Sequence, residues 1–154
     1  MILKRDVRTM LRGIHSAISP DLLKTLAKMG HVDEIVLADA HFRGRSMNGR
    51  VLRAGGLAVA TLLSGILPLF ALDACAPPLI IMAPVPGDTL DSAVEGKNRI
   101  VIRALCPDAP APQRIDCSAF YERARTAYAV LVTGEVVKYG NRILKKGVTS
   151  HASL

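Results

Sequence analysis

The chain has 154 residues, a formal net charge of +7 at pH 7, and a composition in which 50% of the residues are hydrophobic. This hydrophobic content excludes a disordered chain, and the length suits a single domain with its own core. The cations are scattered and aromatic residues make up only 4%, so the composition gives no indication of a nucleic-acid-binding surface.

The first elements along the chain are a helix, a turn that carries a histidine, and a buried strand. Ser19 is a suitable N-cap for the helix, and Gly30 is predicted to end it in the left-handed conformation. The apolar run at residues 35–38 predicts a parallel strand that is covered on both faces. His31 and Asp39 therefore flank one strand, and Asp39 lies at its carboxyl end, where open α/β sheets bind ligands.

The next segment is a polar, arginine-rich loop at residues 41–50, followed by 18 uncharged positions at residues 55–72. That length approaches the roughly 17–25 residues of a transmembrane helix. Glycine, serine and proline interrupt the segment, however, so a buried helix over residues 57–67, ended by Pro68, is the simpler prediction. No membrane span is expected.

The second half of the chain alternates apolar runs with one helical segment. Ser118 is predicted to cap a helix over residues 119–127, and residues 107–112 are predicted to form a loop. Strands are predicted at residues 79–83, 100–102 and 129–133, with a final strand near Val148. This alternation predicts a single three-layer α/β/α domain with a mostly parallel central sheet.

The common signatures of metal, nucleotide and hydrolase sites are absent from the sequence. The four histidines have no H-x-x-x-H or H-x-H spacing, and the three cysteines have no C-x-x-C spacing, so no metal site or disulfide framework is predicted. No G-x-G-x-x-G, P-loop or G-x-S-x-G motif occurs. Unpaired cysteines fit a reducing cytoplasm.

Three motifs, in order along residues 11–149, resemble the L-fucose mutarotase and D-ribose pyranase family. They are M-G-H-x-D-E-I-V-L-A-D-A at residues 29–40, F-Y-E-R-A at residues 120–124, and K-Y-G-N-x-I-L-K-K-G-V at residues 138–148. The second motif and the Y-G-N of the third are similar to the fucose branch.

The resemblance implies an isomerase, without a cofactor, that interconverts the α and β anomers of a monosaccharide, with L-fucose the expected substrate. It implies that His31 is the catalytic proton donor. It also implies a ring-shaped homo-oligomer, commonly a decamer, with sites completed at subunit boundaries. The positions that match sugar-binding residues of the family are Asp39, Asp73, Tyr121, Tyr139 and Asn141.

The chemistry of these residue types agrees with the resemblance. Ring opening requires a proton to leave the anomeric hydroxyl and another to reach the ring oxygen, and an imidazole donates and accepts protons near neutral pH. Carboxylates, an amide and tyrosines offer hydrogen bonds and apolar faces to a neutral sugar. Each residue taken singly also has a structural interpretation, such as a helix cap for His31 or a core position for Tyr121.

The chain departs from the fucose branch at two positions. Cys117 stands where relatives usually carry arginine, and Gly55 stands where they usually carry aspartate. A non-catalytic monosaccharide-binding relative therefore remains the alternative function. Residues 1–9 precede the usual start of the family and are predicted to be a flexible or misassigned extension, with the domain over residues 10–154.

Overall fold

Residues 11–153 are described by a computed structural model, and the prediction for residues 1–9 lies outside them. The strands of this part of the chain are β1 (Glu34–Ala38), β2 (Val51–Ala54), β3 (Leu79–Met82), β4 (Gln113–Ile115), β5 (Ala129–Thr133) and β6 (Arg142–Lys145). The α-helices are α1 (Pro20–Lys28), α2 (Gly44–Met47), α3 (Val59–Ile66), α4 (Ser92–Leu105) and α5 (Cys117–Thr126).

The strands form one mixed sheet in the order β2-β5-β1-β6-β3-β4. The pairs β1–β5, β2–β5 and β3–β4 are parallel, whereas β6 runs antiparallel to both of its neighbours, β1 and β3. The sheet is therefore mostly parallel, as predicted. Because of its direction, β6 begins at the edge of the sheet where β1 and β3 end.

Helices cover both faces of the sheet, which confirms the three-layer prediction. On one face, side chains of α1, α3 and α4 pack against β1, β5 and β6, with Leu22, Leu62 and Leu131 among the buried residues. On the other face, Phe120 and Ala124 of α5 pack against alternate residues of the same strands. Burial of these apolar side chains is the main favourable contribution to folding.

Several elements lie at the positions predicted from the sequence. Ser19 caps α1 by accepting a hydrogen bond from Leu22 N at 3.1 Å. The strands β1, β3 and β5 occupy the predicted apolar runs. In the 55–72 segment, α3 continues into a short 3₁₀ turn at Leu67–Leu69. Among the described helices, none is long and apolar enough to cross a bilayer.

Four local predictions are wrong. Residues 100–102 are not a strand but part of the 14-residue α4, which packs on α3 with Ile102 buried. The N-cap of α5 is Asp116, which accepts from Ala119 N, and not Ser118. The final strand was predicted near Val148, but β6 ends at Lys145 and Val148 is 70% exposed outside it.

The fourth error concerns the turn after α1. Gly30 does not adopt the left-handed conformation; the positive φ, 67°, belongs to Val32. A left-handed backbone is unfavourable for a β-branched residue. Val32 N donates to Lys146 O at 2.8 Å, and Asp33 N donates to Gly30 O at 3.2 Å. These two hydrogen bonds hold the turn against the end of β6 and thereby position His31.

Replacing Gly147 with alanine is expected to destabilise the protein by about 1–3 kcal/mol. A Cβ there would overlap the carbonyl oxygen of Leu72 and lie 2.8 Å from Asp73 Cα, and neither backbone atom can move without shifting Asp73. Gly96 in α4 is the matched control because its Cβ would meet no atom within 4 Å. Gly96→Ala should stabilise the helix by roughly 0.5–1 kcal/mol. Urea unfolding of both variants checks the contrast, and an unchanged midpoint for Gly147→Ala would contradict the described contact.

Candidate functional site

A polar cleft of about 370 Å³ lies at the edge of the sheet where β1 and β3 end and β6 begins. Its lining residues are Asp39, His41, Phe42, Arg43, Met82, Tyr121, Lys138, Tyr139 and Asn141. Four of the predicted sugar-binding residues, Asp39, Tyr121, Tyr139 and Asn141, are therefore brought together in one site.

Hydrogen bonds fix Asp39 and Asn141 at the floor of the cleft. Asp39 N donates to Asn141 Oδ1 at 2.8 Å, and Asp39 Oδ1 accepts from His41 N at 2.9 Å. The Asn141 amide nitrogen has only a weak acceptor, Met82 Sδ at 3.7 Å. Both residues are buried, at 6% and 3% exposure. The pair thus offers a carboxylate acceptor and an amide donor to a neutral hydroxylated ligand.

Tyr139 lines the cleft, and Asp88 holds it from outside the lining. Tyr139 has a left-handed backbone, φ 62°, and its hydroxyl donates to Asp88 Oδ2 at 2.7 Å. Lys138 Nζ donates to the same oxygen at 2.9 Å. The Tyr139 hydroxyl and the Lys138 ammonium lower the pKa of Asp88 to about 2. The Tyr139 ring is thereby held at the cleft by a charge-assisted hydrogen bond.

Tyr121 lies on the opposite side of the cleft, on α5. Its ring is 5.6 Å from the ring of Phe42, centroid to centroid. Burial, with Cys117 and Asp39 nearby, raises the pKa of the Tyr121 phenol, so the hydroxyl stays protonated and remains a hydrogen-bond donor. Three aromatic side chains, Phe42, Tyr121 and Tyr139, therefore line the cleft beside its polar groups, and such rings can pack against the apolar face of a ligand.

Five of the nine lining residues were not predicted from the sequence, and three of them are polar. His41 and Arg43 come from the loop after β1, and Lys138 precedes the Y-G-N motif. The position of His41 and Arg43 after β1 was a usable signal, because loops that leave the carboxyl ends of strands commonly carry binding residues. What the sequence did not show was which polar side chains of residues 41–50 turn toward the cleft.

His31 and Asp73 form a separate pair at the other edge of the sheet. The imidazole Nε2 lies 3.2 Å from Asp73 Oδ1. Burial raises the pKa of Asp73, but hydrogen bonds from Cys75 N and His31 outweigh this effect, so the pKa is lowered. An ionised carboxylate only accepts, so Nε2 carries the proton of this hydrogen bond. Asp73 therefore orients the imidazole ring of His31.

The two halves of the predicted site do not meet within one chain. His31 precedes β1 and Asp39 follows it, with the five-residue strand between them. At about 3.3 Å per residue, these two positions are separated by roughly 20 Å. Within the described residues, Asp73 Oδ2 is buried without a hydrogen-bond partner, which leaves an acceptor available beside His31.

The two departures from the fucose branch have different surroundings. Cys117 is partly buried at the start of α5, and its thiol lies 3.6 Å from Ala83 O. It packs beside Tyr121 but does not line the cleft. Gly55 is exposed in the turn after β2, where an added Cβ would meet nothing within 4 Å. Arg43 provides a guanidinium in the cleft.

Asp88→Asn is expected to weaken sugar binding several-fold, because Tyr139 loses its charged acceptor. The lowered pKa also gives a pH dependence. Ionised Asp88 stabilises the folded state at pH values above its ordinary pKa of 3.8. This stabilisation is lost as the pH falls toward the folded-state pKa of about 2. The melting-temperature difference between wild type and Asp88→Asn should therefore be larger at pH 6 than at pH 3. A difference that does not vary with pH would contradict the assigned ion pair.

Comparison with known proteins places this architecture in a family. Residues 12–149 match the RbsD / FucU transport protein family, and the chain belongs to that family. The chain is 55% identical over 141 residues to L-fucose mutarotase of Actinobacillus pleuropneumoniae, a match that covers 91% of this chain and 98% of the relative.

Two solved structures extend the comparison to the fold. The structure of the fucose mutarotase of Streptococcus pneumoniae in complex with L-fucose superposes with a TM-score of 0.86 at 41% identity, covering 91% of this chain and all of that one. Bacillus subtilis RbsD complexed with D-ribose gives a TM-score of 0.69 at 25% identity, covering 92% of this chain and all of that one. Both relatives were crystallised with a monosaccharide.

Proposed function

We propose that the protein is an aldose mutarotase that interconverts the α and β anomers of L-fucose. The observation that carries this proposal is the cleft of Asp39, Tyr121, Tyr139 and Asn141, which combines buried polar groups with aromatic surfaces. The 55% identity to an L-fucose mutarotase over most of the chain supports the same reaction and substrate.

In the proposed reaction, His31 delivers a proton to the ring oxygen while the anomeric hydroxyl gives its proton to a water molecule. The C1–O5 bond breaks, the open-chain aldehyde rotates about C1–C2, and closure on its other face returns the opposite anomer. On ring closure O5 returns a proton to His31, and the carbonyl oxygen regains one from water. Asp73 orients the imidazole through the 3.2 Å contact with Nε2. Asp39 and Asn141 bind the sugar hydroxyls, and Tyr121 and Tyr139 contact the faces of the ring.

We further propose that each complete site is built from two copies of the chain. The roughly 20 Å between His31 and Asp39 is too long for both residues of one copy to contact one monosaccharide. A head-to-tail arrangement brings the His31 edge of one copy to the cleft of the next. Such a heterologous contact closes into a ring when its rotation is suitable, and the proposed assembly is a ring-shaped homo-oligomer, a decamer by family resemblance.

Exposed apolar side chains support this arrangement because they flank both edges. Val32, at 51% exposure, follows His31 in the chain, and Val148, at 70%, follows Gly147, which lies against the backbone of Asp73. Val85 and Val136, at 45% and 69%, lie near Tyr139 and His41. Apolar groups beside polar sites commonly mark subunit contacts. The three free cysteines fit a cytoplasmic location for the assembly.

Saturation-transfer NMR on L-fucose tests the proposed function. Irradiation of one anomeric proton should reduce the signal of the other anomer at catalytic protein concentrations, and heat-denatured protein should not do so. D-ribose and D-galactose serve as comparison sugars. Binding of L-fucose without accelerated exchange would overturn the enzyme assignment. The second candidate is a monosaccharide-binding protein without catalysis, and the presence of Cys117 in place of the usual arginine favours it.

A further inference from the structure

A second cavity lies on the other face of the sheet, between α4 and the β3–β4 edge. It has a volume of about 310 Å³ and is lined by the guanidinium-bearing residues Arg99, Arg103, Arg114 and Arg142 together with one carboxylate, Glu95. Four cations and one anion leave a surplus of three positive charges. The sugar cleft lies on the α5 side, so this cavity is separate from the proposed mutarotase site.

Arg142 is the residue that sets this cavity apart. It is only 5% exposed, and among the described residues its guanidinium has no hydrogen-bond or ion-pair partner. Burial lowers its pKa to about 10. A buried, unpaired charge is strongly unfavourable, and native proteins usually pair such groups or use them to bind ligands. The guanidinium is near the Glu95 carboxylate but is not hydrogen-bonded to any anion within the described residues.

The strand geometry explains why Arg142 reaches this cavity. In β6 it is two residues from Leu144, which belongs to the core under α1, α3 and α4. Side chains two residues apart share a face of the sheet, so Arg142 points toward α4. It is in register with Ile81 of β3, which also lines the cavity.

Glu95 does not neutralise the cavity. Its two carboxylate oxygens accept from Arg114 at 2.6 and 2.7 Å, and Arg99 is 3.3 Å from one of them. The carboxylate is thus engaged by two arginines at the cavity mouth. Within residues 11–153, Arg142 and Arg103 form no such ion pair, and they remain available to an incoming anion.

The walls of the cavity indicate the chemical class of the ligand. Leu79, Ile102 and Pro110 provide apolar surface next to the arginines. The volume falls within the roughly 300–1,000 Å³ of small-molecule sites. A guanidinium can donate two parallel hydrogen bonds to two oxygen atoms of one phosphate. We propose that this cavity binds a small phosphomonoester, with Arg142 as the buried phosphate ligand.

Isothermal titration calorimetry on the intact oligomer tests the proposal, with glycerol 3-phosphate and inorganic phosphate as probes at constant low ionic strength. Arg142→Met removes the charge at similar volume. Because the buried cation is lost, this variant should fold at least as stably as wild type. Arg125→Met is the matched control, since Arg125 lies on α5, on the other face of the sheet.

Wild type and Arg125→Met should bind glycerol 3-phosphate with equal affinity, and Arg142→Met should bind it at least about tenfold more weakly. Equal binding by Arg142→Met would overturn the proposal. So would failure of both phosphates to bind the wild-type oligomer, the result expected if a carboxylate of a neighbouring copy fills the cavity. Binding of inorganic phosphate without glycerol 3-phosphate would overturn the phosphomonoester assignment.

Discussion

His31→Gln is expected to slow catalysed anomer exchange of L-fucose by about 10²–10⁴-fold, the usual contribution of one positioned acid–base group. Glutamine keeps a hydrogen-bond donor toward Asp73 but does not transfer a proton near neutral pH. The His31 side chain is 48% exposed, so its replacement creates no core cavity and the melting temperature should change little. Saturation-transfer NMR measures the rate directly.

His151→Gln is the control for this experiment because His151 is exposed and lies in neither half of the site. It should retain the wild-type rate. Unreduced exchange by folded His31→Gln would exclude His31 as the proton donor, whereas loss of exchange together with loss of the oligomer would point to a structural role. Size-exclusion chromatography with light scattering separates these two results.

Two inactive variants are expected to restore activity to each other when they are unfolded and refolded together. His31→Gln retains the sugar cleft, and Asp39→Asn retains the proton donor. If each site takes His31 from one copy and Asp39 from its neighbour, a random equal mixture rebuilds about one quarter of the sites. Exchange should recover to about that fraction of the wild-type rate in the mixed ring.

Each variant refolded alone is the control and should remain inactive. Mixing the two after refolding, without exchange of subunits, should also give no recovery. A mixture that stays inactive while light scattering shows mixed oligomers would contradict a site shared between copies. A stable, active monomer would contradict the assembly itself.

The sequence predicted the centre of the molecule better than its edges. The runs that became β1, β3 and β5 are apolar because these strands are buried on both faces, and this burial is visible in composition alone. Strand β4 is three residues long, lies at the sheet edge and has mostly exposed side chains, so no apolar pattern marks it. Residues 100–102 look like a strand, but packing of α4 on α3 outweighs their local preference.

The candidate site was predictable in its residues but not in its geometry. His31 and Asp39 were expected to flank one strand, and they do. In the proposed two-copy site, their functional connection depends on the surface of a second copy, about which one chain's local pattern says little. Likewise, the left-handed backbone at Tyr139 follows from tertiary contacts, because tyrosine has no intrinsic preference for it.

The antiparallel direction of β6 has a genetic consequence in the proposed ring. The N-terminus of β6 follows Asn141, which lies in the sugar cleft of one site. Its C-terminus leads to Lys146, whose carbonyl accepts from Val32 N and so holds the turn beside the His31 that serves the next site. A defect in this one strand therefore harms two reaction centres. A damaged allele expressed beside a healthy one should lower the total activity by more than its share of the subunits.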